Sequence, residues 1–156
     1  MRLSDAIREE YIITELRASF KEEALAEMVG YLAGRMNGLD REKAIEALLA
    51  REHLGTTGIG HGVAIPHCKL KGVSEIRVSF ARSGRGVDFD SMDRMPVHLV
   101  FLIIAPENSA AAHLKILASI SRLLKNQDFR ERLMRALTKE EILNIIAEAD
   151  KKNGLL

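Results

Sequence analysis

Residues 97–105 read VHLVFLIIA, nine positions of which only His98 is polar. So continuous an apolar run, ended by Pro106, is the pattern of a strand covered on both faces rather than of a half-solvated one. A strand at the centre of a sheet needs helices packed above and below it, and the rest of the chain can be read outward from that requirement. Upstream, Ser74–Ala81 alternates: Ile76, Val78 and Phe80 fall on one face, and Glu75, Arg77 and Ser79 on the other, as in a neighbouring strand. Between the two, SGRGVDFDSMDRMP (83–96) carries Gly84, Gly86 and Pro96 and reads as a turn-rich bridge.

Downstream of Pro106, Ser109 is placed to cap a helix over Ala110–Leu124, whose His113, Ile116, Leu117, Ile120 and Leu124 recur on one side. A shorter helix is expected near Asp128–Leu137. Thr138–Glu141 then has the spacing of a capping box ahead of Ile142, Leu143, Ile145 and Ile146. Towards the N-terminus, Leu3 and Ile7 suggest a short turn and Tyr11–Leu16 a brief strand. Ser19 and Glu22 suggest a second capping box opening a helix over Phe20–Arg35. Phe20, Ala24, Met28 and Leu32, widened by Leu25 and Val29, would form its buried stripe, leaving Lys21, Glu22 and Glu23 to solvent. Asp40 is positioned to cap a further helix near Arg41–His53, with Ile45, Leu48 and Leu49 facing the core. The final KKNGLL reads as a helix end and tail. No repeat or low-complexity linker divides the chain, so the expected architecture is α/β: a single domain over residues 1–156 with a small mixed β-sheet flanked by helices.

Composition narrows the function classes. A 156-residue chain can bury roughly 69% of its extended surface, enough for one core. With 47% hydrophobic residues and 23 Lys+Arg against 22 Asp+Glu, it is neither disordered nor broadly basic, so nucleic acid is not an expected partner. One cysteine, Cys68, excludes an intrachain disulfide and a thiolate metal cluster, which fits a reducing cytoplasm. MRLSDAIREE has no signal-peptide core, and no charge-free stretch of about 20 residues predicts membrane insertion.

The chemistry concentrates in Arg51, the stretch TTGIGHGVAIPH (56–67) and the distant His113. Glycines allow backbone N–H groups to approach a phosphate, and Pro66 restricts the approach to His67. A neutral imidazole at His67 can attack phosphorus, while Arg51 can stabilise the transferred group through charge-assisted hydrogen bonds. Thr56 and Thr57 carry hydroxyls that either bind phosphate or stabilise the turn; Thr57 joins Arg51 in the candidate phosphate-binding set. His61 is the nearest competing acceptor. Asp88, Asp90 and Asp93 read as an acidic solvated loop, and His61, His67, His98 and His113 lack the spacing of a recognisable metal centre. No GxSxG elbow or P-loop is present.

With GIGHGVAIPH, VDFDSMDRMPVHLVFLIIAP and SAAAHLKIL taken together, the chain strongly resembles the EIIA domain of the phosphoenolpyruvate-dependent sugar phosphotransferase system. The resemblance is to the fructose/mannitol type, including its nitrogen-regulatory branch. It implies that His67 is the transient phosphate acceptor, through its Nε2, His113 its neighbouring active-site histidine and Arg51 a phosphate contact. His61 does not match the phosphate-bearing position. Cys68, where the family more often has a small residue such as glycine, and His98, where acidic or polar residues are common, depart from the pattern. The implied activity is that of a phosphotransferase component. It would take phosphate from a phosphorylated histidine carrier protein and pass it to an EIIB cysteine in sugar uptake. The alternative is a phosphorylation-controlled regulatory protein that binds a protein client. Neither needs a metal or a cofactor.

Overall fold

Two apolar cores lie on opposite sides of one sheet, and the side-chain alternation along its central strand creates both. In the computed structural model, which describes residues 2–154, the elements in chain order are α1 (Leu3–Ala6), β1 (Ile7–Ile13), α2 (Lys21–Ala33) and α3 (Arg41–His53). They are followed by β2 (Gly58–Gly60), β3 (Val63–Ala64), β4 (His67–Leu70), β5 (Arg77–Val87) and β6 (Val97–Pro106), and then α4 (Ala110–Leu124), α5 (Gln127–Arg135) and α6 (Lys139–Gly154). On β6, Leu99, Phe101, Ile103 and Ala105 face α4, α5 and α6, while Val100, Leu102 and Ile104 face α2 and α3. The expected helical cover on each sheet face is therefore present, and the fold is α/β with a mixed sheet.

The sheet order is β1-β5-β6-β3-β2, with β4 also pairing β6. β5 and β6 are antiparallel, whereas β1 lies parallel to β5, and β3 and β4 lie parallel to β6. β3 and β4 follow one another along the same edge of β6, interrupted at Ile65–Pro66. Proline has no N–H for a ladder, so the strand breaks there; the Pro66 carbonyl still accepts from Ile103 N–H at 2.9 Å. His67 is the first residue after that break, opposite Ile103. In β4, Cys68 and Leu70 enter the core beneath α2 and α3. Alternation therefore sends His67 and Lys69 to the other face, towards α4.

Several expectations need correction. β1 is Ile7–Ile13, not Tyr11–Leu16, and the preceding residues form a one-turn helix. The Ser19–Glu22 capping box is absent: Phe20 is the N-cap of α2, without a side-chain cap bond, and the Ser19 carbonyl accepts from Asp88 N–H. A bridge between Phe20 and Asp88 holds this segment extended and turns Phe20 outward, 56% exposed, so it is not in the buried stripe. Lys21, expected in solvent, is buried. Ser109 precedes α4, but its hydroxyl donates to the Pro106 carbonyl at 2.6 Å instead of capping the helix. β5 runs on to Val87 and takes in part of the stretch read as a bridge. Asp40 does cap α3, accepting from Lys43 N–H, and Thr138 accepts from Glu141 N–H at the start of α6. α5 starts at Gln127 because Asn126 caps it, accepting from Phe129 N–H. Of the tail, Leu155 and Leu156 lie outside the described residues.

Candidate active site around His67

His67 occupies the start of an edge strand, half-buried, with one ring nitrogen committed and the other available. Its Nδ1 lies 2.9 Å from the Ile65 carbonyl oxygen. A carbonyl only accepts, so Nδ1 carries the proton and Nε2 of the neutral ring holds a lone pair. Because Pro66 interrupts the ladder between β3 and β4, the Ile65 carbonyl can bend back to this imidazole. Burial, first, lowers the His67 pKa below its ordinary value; the Ile65 carbonyl pulls it up, Arg51 down, Glu52 up and Lys69 down. The net direction keeps the ring neutral and nucleophilic at neutral pH.

Arg51 comes from the last turn of α3. Its Nε donates towards His67 Nε2 at 3.3 Å, and its Nη1 donates to the Gly55 carbonyl at 2.8 Å. The guanidinium thus terminates its helix and reaches Nε2 of His67 at once. From the opposite side, α4 supplies His113. The two imidazoles meet edge to face, with centroids 5.2 Å apart and planes at 87°. His113 is 5% exposed, and its Nδ1 has no hydrogen-bond partner among the described residues. Burial, followed by the neighbouring His67 and Lys69, pushes its pKa down to about 4. The structure therefore brings Arg51, His67 and His113 together from three elements far apart in sequence.

Thr57 is near but differently engaged. Its backbone N–H donates to Glu52 Oε1 at 2.9 Å and its hydroxyl donates to Glu52 Oε2, so both of its donors are occupied by a carboxylate. In this arrangement Thr57 holds the turn. Thr56 does likewise, donating to the Phe89 carbonyl and accepting from Gly58 N–H and Lys21 Nζ. His61 sits at positive φ in the β2–β3 turn, beside the Leu99 end of β6, where Val63 pairs. Four residues of strand, about 13 Å, separate that register from the one His67 occupies. His98 is at the same remote end, its Nδ1 2.8 Å from the Ser83 carbonyl. Cys68 is buried on the far face, and desolvation pushes its thiol up to about 12. No group of His, Cys, Asp or Glu able to hold a metal ion occurs among the described residues.

Three charged residues of the neighbourhood escaped the sequence reading. Lys69 is two positions beyond His67 on the same strand face and acts on both imidazoles; period-two alternation would have found it. Glu52 adjoins Arg51 and is turned inward, its side chain 5% exposed. Lys21 gave no local signal, because the groups that enclose it, Glu52 of α3, Thr56 and the Phe89 ring, lie tens of positions away in sequence.

Residues 5–149 match the family model described as phosphoenolpyruvate-dependent sugar phosphotransferase system, EIIA 2. The chain belongs to that family. It is 43% identical over 147 residues to a nitrogen regulatory protein of Bradyrhizobium diazoefficiens, covering 94% of this chain and 95% of the relative. It is also 46% identical over 116 residues to a PTS system fructose-specific EIIA component of Haloferax volcanii, covering 74% of each. The crystal structure of nitrogen regulatory protein IIA-Ntr from Neisseria meningitidis superposes with a TM-score of 0.85 at 32% identity, over 92% of this chain and 98% of that one. Enzyme IIA mannitol of Escherichia coli, solved in complex with phosphorylated enzyme IIB mannitol, gives 0.75 at 26% identity, over 91% and 99%. This EIIA chain thus has relatives in both the sugar-specific and nitrogen-regulatory branches. Phosphoryl relay is the general role of its family. No helix among its described residues is long and apolar enough to cross a membrane.

Proposed function

We propose that this protein carries a phosphoryl group transiently on Nε2 of His67, receiving it from a phosphorylated histidine carrier and delivering it to a cysteine of an EIIB component in sugar uptake. The observation that carries the reading is the pairing of a proton-bearing Nδ1 on Ile65 with an Nε2 faced by Arg51 and flanked by His113. In the first step the carrier's P–N bond breaks as His67 Nε2 forms a new one, and the carrier imidazole leaves with its ring neutral. The Ile65 carbonyl keeps the Nδ1 proton in place, so the acceptor becomes a phosphoimidazolium without a separate proton transfer. Arg51, and the hydrogen-bonding edge of neutral His113, offset charge on the phosphoryl oxygens. In the second step a cysteine thiolate attacks phosphorus, the Nε2–P bond breaks and His67 returns to its neutral tautomer. No metal or cofactor takes part, since the donor is already an activated phosphohistidine. These steps belong to a cytoplasmic setting, where carrier and thiolate are available.

The near full-length likeness to a nitrogen regulatory protein supports a second reading. In it, phosphorylation of His67 alters the surface offered to a regulatory protein client. Intact-protein mass spectrometry with peptide mapping separates the two after incubation with a phosphorylated histidine carrier. Label on His67 that disappears as added EIIB becomes phosphorylated is the expected result. Persistent label despite active EIIB favours the regulatory reading, and normal labelling of a folded His67→Ala protein removes His67 as acceptor.

A further inference from the structure

Lys21 and Glu52 form a buried ion pair one residue from Arg51. Lys21 Nζ lies 2.9 Å from Glu52 Oε1, with side chains 9% and 5% exposed, and 5.1 Å above the Phe89 ring centroid. Burying two charges costs several kcal/mol per ion after relaxation, and an apolar pair would fill the space as well. A lysine in the first turn of a helix is also on the unfavourable side of its dipole. What the pair does hold is the turn before β2. The carboxylate accepts from Lys21 Nζ, Thr57 N–H and Thr57 Oγ1, while the ammonium also donates to Thr56 Oγ1 at 3.1 Å. From Thr57 the chain of bonds continues: its carbonyl accepts Ile65 N–H at 3.0 Å, and the Ile65 carbonyl accepts His67 Nδ1–H at 2.9 Å.

We propose that Lys21 and Glu52 are positioning residues for His67. The carboxylate clamps the turn that fixes the Ile65 peptide beneath the imidazole, and the lysine cancels its charge beside a site built to receive an anion. The inference rests on His67 being the phosphate acceptor. The charged and titratable groups acting on His67 are Arg51 and Glu52 from α3, Lys69 from β4 and His113 from α4, and among them Glu52 is the anion. Its clamp therefore stands where negative charge opposes phosphate, and Lys21 makes it tolerable.

The test combines Lys21→Met, Lys21→Arg, Glu52→Gln and the double variant Lys21→Met/Glu52→Gln. On each unphosphorylated protein the His67 imidazole is titrated by NMR, and on each the rate of phosphate acceptance from a phosphorylated histidine carrier is measured. With Lys21→Met, the uncompensated carboxylate raises the His67 pKa and slows acceptance by about ten- to a hundredfold, in kcat rather than KM. Lys21→Arg retains the wild-type titration, Glu52→Gln lowers the pKa, and the double variant returns it towards wild type. A His67 titration unmoved in both Lys21→Met and Glu52→Gln, with rates following thermal stability alone, overturns the proposal. If Lys21→Met fails to fold, the direction of the Glu52→Gln shift decides. Absence of label on wild-type His67 refutes the acceptor reading instead, and the titration still reports on the ion pair.

Discussion

Arg51 shows how much a single side chain is asked to do at this site. Its Nη1 binds the Gly55 carbonyl beyond the end of α3 while its Nε points at the nucleophilic nitrogen of His67. Lysine supplies the same charge as a point and cannot span both. Arg51→Lys is expected to lose about 1.5–3 kcal/mol of transfer-state stabilisation, on the order of ten- to a hundredfold in the rate of phosphate acceptance. Rapid-quench labelling with a phosphorylated carrier measures it, with circular dichroism to confirm the fold; an unchanged rate would leave the arginine a helix terminator only. At this scale the three candidate side chains, His67, Arg51 and His113, were legible in residue type and motif, and the fold brings them together. The resemblance implied Nε2 as the reacting nitrogen, but the bond that holds that tautomer was not legible, because it comes from a carbonyl two residues away that faces the ring only after Pro66 breaks the strand.

Among the elements, the turns decide where the site's pieces meet. The connection between α2 and α3 passes against the β4–β5 turn so closely that a Cβ on Gly38 would stand 2.2 Å from the Gly72 carbonyl oxygen, with φ at +79°. Gly38→Ala must strain its own backbone and displace the neighbouring chain. It is expected to cost at least about 2 kcal/mol, roughly 4–8 °C in Tm. Gly34→Ala is the control: φ is −85° and nothing lies within 4 Å of the added carbon, so its Tm should stay close to wild type. Equal melting temperatures for the two variants would contradict the packing described. Helix periodicity found α3, α4 and α6, because long amphipathic stripes are local signals. It misjudged the start of α2, where the Ser19–Glu22 pattern looked like a cap. A bridge to Asp88, 68 residues further on, sets the extended entry instead and buries Lys21.

For the whole molecule, the two site histidines couple stability to pH. Burial lowers both pKa values, His113 to about 4 from an ordinary 6.5, so the unfolded chain takes up these protons first as the solution is acidified. Stability is fully present above about pH 6.5, where both states are neutral, and falls as pH drops from there towards 4. Urea titrations across that range should show the decline, and His113→Asn should flatten it; an unchanged slope in the variant would assign the acid sensitivity elsewhere. The sequence by itself determined the layered α/β fold, through a nine-residue apolar run that only helices on both sheet faces can cover. It also singled out His67, Arg51 and His113 as candidate site residues, because their residue types and surrounding motifs are local. Tertiary structure decided how the free ring nitrogen of His67 is held, which threonine donors are already spent on Glu52, and that Lys21 lies inside. The first two are bonds between residues two and five positions apart that need the backbone path of the broken strand and the turn before β2. Lys21 is buried by residues tens of positions away, where an opposing charge overrides what its own neighbours along the chain suggest.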